Sequence, residues 1–179
     1  KVRFMLSIVK KSALIVVMTF GLLILHETVH FLTAIGLGND AYMSVNHVGP
    51  QNGQWNSPAD AFWITLSGPL FTIFAGIFGF ALVKMNGALY GAYLVWVACA
   101  QRSAAVFASL GSPNDEMKVS LAMGLGAWTV HIVVVVLLLA LSILAYRKTH
   151  ATWRDLLALW IGTSIGLTLF IFGEPYMPT

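Results

Sequence analysis

Five apolar stretches dominate this sequence, at about 12–36, 59–83, 87–110, 119–145 and 154–173. Each is long enough, wound as an α-helix, to cross a bilayer's hydrocarbon core, which takes about 20 residues. The breaks between them carry turn chemistry: Gly36-Leu37-Gly38-Asn39-Asp40, Lys84-Met85-Asn86-Gly87, Gly111-Ser112-Pro113-Asn114-Asp115, and the basic run Arg147-Lys148 to Arg154. Composition agrees, with 58% hydrophobic and 9% charged residues, against about 45–50% and about 25% in soluble domains. The chain is therefore expected to be an all-α polytopic membrane protein with about five transmembrane helices, one membrane-embedded domain over residues 1–179. The net charge of +3 does not point to nucleic acid, because the basic residues flank apolar segments and form no patch. A single cysteine, Cys99, excludes a disulfide framework and a cysteine-cluster zinc site.

Loop charges orient the bundle. Lys1, Arg3, Lys10, Lys11, Lys84, Arg147, Lys148 and Arg154 fall on one side of a five-span arrangement, and Lys118 on the other. By the positive-inside rule the amino terminus is expected in the cytoplasm of a bacterial plasma membrane or an organelle membrane, and the carboxyl terminus outside. Trp55, Trp63, Trp153 and Tyr176 fit interfacial belts. Segment 39–57 is too polar to span. Its β-prone run Tyr42–Val48 and the turn signal Gly49–Gly53 predict a short membrane-associated β-hairpin after the first helix.

The chemistry sits in the first apolar stretch, as His26-Glu27-Thr28-Val29-His30. Histidines at i and i+4 share a helix face and can reach one Zn²⁺ at about 2.0–2.1 Å. Glu27 can act as general base on the water that such a metal activates. Charged residues at the centre of a membrane helix cost about 2.5–3.5 kcal/mol each on insertion scales, so ionisable residues there mark function. The competing structural role is a polar helix–helix contact.

A catalytic zinc site needs a third protein ligand. His26 lies about 21 Å along the helix from Ser12, at 1.5 Å per residue, in the outer half of the membrane. The break after the third stretch reaches the same depth. It offers Asp115 as first candidate and Glu116 as second; Asn114-Asp115 could instead cap the next helix. Glu174 and His131 are further candidates. Arg102 could pair with either acid of the break or snorkel to the interface. Asp60, after Pro58, reads as a cap, and His150 and Asp155 read as solvated residues of the inner interface.

The helix His26-Glu27-Thr28-Val29-His30-Phe31-Leu32-Thr33-Ala34 resembles that of the site-2 protease family of intramembrane zinc metalloproteases. Ser67-Gly68-Pro69-Leu70 resembles that family's Gly-Pro motif, and segment 42–53 its membrane re-entrant β-element. Thr72 stands where many members carry Asn after the Gly-Pro, and Leu110 where an Asn precedes the acidic ligand. The resemblance implies a catalytic core over about 12–125, with accessory helices over about 119–173. It implies one zinc ion held by His26, His30 and Asp115, with Glu27 catalytic. The substrate would be a transmembrane protein, held as an added strand near Tyr42, Ser44 and Asn46. With no PDZ or CBS domain in the sequence, any regulatory membrane protein is expected to be a separate chain. Two other readings of the same residues are a catalytically inactive metal-binding scaffold or chaperone and a proton-relay or transport subunit.

Overall fold

The computed structural model describes the backbone of residues 2–173 and the side chains of residues 5–173. Glu174 and Tyr176, singled out above, lie outside the described residues. The elements in order are α1 (Val2–Gly36), β1 (Ala41–Met43), β2 (Val48–Pro50), α2 (Pro58–Asn86), α3 (Leu89–Ala108), α4 (Asp115–Ala122), α5 (Thr129–Thr149) and α6 (Trp153–Gly173). Among the described residues, α1, α2, α5 and α6 are the four helices long and apolar enough to cross a membrane.

Two differences from the expected helices have local causes. α3 has 20 residues but carries Gln101 and Arg102, which lower its apolarity. It lies inside the bundle, touching α1, α2, α5 and α6, and buries Tyr93, Val95, Val97, Ala98, Gln101 and Arg102. The helix expected over 119–145 is two helices, α4 and α5. Between them Gly124 and Gly126 adopt φ of 70° and 80°, which favours glycine and ends a right-handed helix. Ser120 Oγ donates to the Gly126 carbonyl and closes this corner.

Close approach holds the long helices together. A Cβ on Gly162 of α6 would fall 2.7 Å from Ile15 Cβ, and one on Gly166 would fall 2.7 Å from Thr19 Cβ. This small-xxx-small pair lets α6 lie directly against α1, a device suited to lipid, where no hydrophobic force drives helices together. Where the start of α6 meets α1, Asp155 is buried rather than solvated. It accepts from Lys11 Nζ at 2.5 Å, Tyr93 Oη at 2.7 Å and Thr152 N at 2.8 Å. Thr152 and Asp155 thereby cap α6 and tie it to α1 and α3. His150 is exposed, as expected.

The hairpin forms with a shifted turn. β1 and β2 pair antiparallel with Tyr42 opposite Gly49, and the chain reverses at Ser44–His47, where Ser44 N donates to the His47 carbonyl at 2.8 Å. The predicted strand 42–48 is thus folded back on itself, and Gly49-Pro50 lies in β2. Tyr42 lies across Gly49, where any side chain would collide with its ring. Ala41 anchors the hairpin to Ala34 of α1 and Ile64 of α2. Ser57, not Asp60, caps α2, accepting from Asp60 N at 3.0 Å.

Candidate metal centre

Three helices bring the ligand set together. α1 presents His26 and His30 on one face, with ring centroids 4.7 Å apart. The first residue of α4 supplies Asp115. His26 Nε2 and His30 Nε2 are 3.1 Å apart, and Asp115 Oδ2 lies 3.2 Å from the first and 3.3 Å from the second. Ligand atoms at tetrahedral angles around a metal at about 2.0–2.1 Å stand about 3.3–3.4 Å from one another. The sides of the triangle, 3.1–3.3 Å, are close to that spacing, and the three atoms could hold a metal ion.

The third helix, α2, fixes the histidines from behind. His30 Nδ1 meets the Ile64 carbonyl at 2.6 Å. A carbonyl only accepts, so Nδ1 carries a proton, and in the neutral ring Nε2 keeps its lone pair. His26 Nδ1 meets Thr72 Oγ1 at 3.0 Å, and that hydroxyl donates to the Gly68 carbonyl at 3.2 Å. With the hydroxyl proton so used, His26 Nδ1 donates and its Nε2 is bare as well. With both rings neutral, two imidazole lone pairs and a carboxylate oxygen face one point. A cation at that point turns mutual repulsion into coordination, and outer bonds of this kind accompany metal-ligating histidines. His26 is 3% and His30 5% exposed, so both rings are buried, while Asp115 is partly exposed.

Gly68 shows why the Gly-Pro motif lies opposite the histidines. A Cβ there would fall 2.6 Å from His26 Cε1 and against His30 Nε2. Pro69 follows inside the helix and lacks the N–H of that turn. In the same turn the Ile64 carbonyl accepts from both His30 and Ser67 Oγ, the latter at 2.7 Å.

The site opens into a cleft of about 510 Å³. Glu27, half-buried, lines it beside the ligand triangle. Apolar walls come from Leu23, Ala104, Ala105 and Phe170, and the hairpin contributes Asn46, His47 and Val48. Tyr42 and Ser44, expected to hold substrate, are not among the lining residues; Ser44 serves the hairpin turn and Tyr42 covers Gly49.

Glu116, the alternative third ligand, faces away from the histidines. Its Oε1 accepts from Arg102 Nη1 at 2.9 Å, both side chains buried. Asn114, not Asp115, is the N-cap of α4, which leaves the Asp115 carboxylate to face the histidines. His131 is an interhelical residue, its Nε2 bonded to Ser109 Oγ at 2.9 Å. The supporting roles of Thr72 and the Ile64 carbonyl were not read from the sequence. A Thr one turn after Gly68 was visible, but its partner on another helix was not. Comparison with protein-family models, with curated proteins and with solved structures finds no match for this chain.

Proposed function

We propose that this chain is an intramembrane zinc metallopeptidase of the site-2 protease type, hydrolysing a peptide bond in or near a transmembrane segment of a protein substrate. The observation that carries this reading is the triangle of candidate ligand atoms with sides of 3.1–3.3 Å, held by outer hydrogen bonds and lining one cleft with Glu27. The donor set of two imidazoles and one carboxylate suits zinc. When bound, the metal supplies a Lewis acid for the scissile carbonyl and makes water nucleophilic near neutral pH.

The residues of the chain do the rest. His26, His30 and Asp115 would hold the ion, and Thr72 and the Ile64 carbonyl hold the two rings in the tautomer that suits it. Glu27 takes the proton of the attacking water and delivers it to the leaving nitrogen as the C–N bond breaks. The cleft's apolar walls receive a membrane segment, and Asn46 on its polar lining offers a partner to main-chain groups of an unwound helix. In this reading α3 is a fifth crossing, shielded from lipid by its neighbours, and the amino terminus is cytoplasmic. Strand addition at the hairpin remains part of the proposal; cleavage of a helical substrate unaffected by proline at positions 43 and 48 would remove it.

Glu27→Gln is the deciding variant. It is expected to keep metal content and to lose cleavage of a reconstituted transmembrane substrate by at least about 100-fold, the scale of general-base catalysis. Equal substrate processing by wild type and Glu27→Gln would instead favour a non-catalytic metal-binding scaffold.

A further inference from the structure

α4 opens with two adjacent acids that face different neighbours. Successive residues on a helix point about 100° apart. Asp115 therefore turns to the histidines of α1 while Glu116 turns to Arg102 of α3. Glu116 is 0% and Arg102 5% exposed, and their single hydrogen bond is 2.9 Å long. Asn114, on the other side of Asp115, donates from Nδ2 to the Ala105 carbonyl of α3 at 2.9 Å. The ligand is thus bracketed by two polar ties to one helix, at positions 102 and 105.

A buried ion pair contributes little to stability over apolar side chains of the same shape, and its best-attested use is to fix register. Register matters here. The carboxylate stands about 5–6 Å from the α4 axis, so a rotation of about 20° carries it about 2 Å. A metal–ligand distance tolerates about 0.2 Å.

We propose that Arg102 and Glu116 are a positioning pair that sets the rotation of α4, so that Asp115 completes the ligand triangle. The proposal rests on the metal-centre reading above, and it gives Glu116 a role through Asp115 rather than on the metal.

Co²⁺ titration of the full chain in detergent, followed by visible absorption, tests it, because tetrahedral Co²⁺ absorbs far more strongly than six-coordinate Co²⁺. Glu116→Gln, whose amide oxygen still accepts from Arg102, is expected to keep the wild-type spectrum and affinity. Arg102→Met/Glu116→Met removes the tie with little change in volume. It is expected to bind about 10- to 100-fold more weakly, the scale for lost outer-shell partners, with a diminished tetrahedral band. Adding Asp115→Ala to that double variant should cost nothing further, since the pair acts through Asp115. Should the double variant not fold, Arg102→Leu/Glu116→Leu, which likewise leaves no buried charge and no tie between the helices, takes its place with the same expected losses. Wild-type affinity and spectrum in the substituted protein, or a full additional loss on adding Asp115→Ala, would overturn the positioning role. A wild type that takes up no Co²⁺ would instead defeat the metal centre on which the proposal rests.

Discussion

Gly68→Ala puts one methyl group between α2 and the two histidines, and its effect can be worked from distances. The added carbon would stand 2.6 Å from His26 Cε1. An ordinary contact is about 3.5–4.0 Å, so the rings or the helix must move by about 1 Å. That is about five times the tolerance of a metal–ligand distance. Both histidines lie against the new atom, so both metal bonds are strained together. Lost outer-shell bonds alone cost about 10- to 100-fold in affinity. Displacing two ligands should therefore weaken zinc by about 100-fold or more, equivalent to about 2.8 kcal/mol. Competition against a chromophoric chelator, in detergent at fixed pH, measures this directly. Gly21→Ala is the control, because no atom lies within 4 Å of its added carbon, and alanine favours the helix by about 1 kcal/mol. Wild-type zinc affinity in Gly68→Ala would refute the packing argument and with it the role assigned to the Gly-Pro turn.

Three further outcomes follow from contacts elsewhere. Thr72→Val removes the hydroxyl that accepts from His26 Nδ1; zinc affinity should fall about 10- to 100-fold while the protein stays folded, measured by the same competition. Asp155→Ala leaves the buried Tyr93 hydroxyl without its acceptor, a loss of about 1–3 kcal/mol that should lower the unfolding midpoint in detergent without changing zinc content. Gly162→Leu forces α6 away from α1, where even a Cβ would meet Ser12 O at 2.7 Å; thermal scanning should show a lower midpoint of unfolding, and the same substitution at Gly21 should not.

The pairing of His26 and His30 was legible because i, i+4 spacing places two side chains together without any knowledge of tertiary structure. Asp115 and Glu116 were both candidates, since the break after α3 is expected to return to the depth of the histidines. Only the packing of α4 shows the two acids turning apart. Thr72, Arg102 and Asp155 were harder for one reason: each acts across helices, and a helix's period says which face a residue occupies but not what it meets. The short α4 was missed because Gly124 and Gly126 sit within an otherwise apolar run. Hydropathy averages over glycines that backbone geometry uses to turn a corner. The hairpin's existence was readable from its β-prone residues. Its register was not, because Gly49-Pro50 signals a turn locally while the Tyr42 ring packed over Gly49 holds that segment in a strand.

Zinc per chain by elemental analysis, on purified wild type, His26→Ala and Asp115→Ala, tests the central claim most directly. The account predicts about one zinc in wild type and a loss in both variants, as three protein ligands require. A well-folded wild type that holds no zinc even after reconstitution would contradict it, and would make the triangle an ion pair between Asp115 and a protonated histidine.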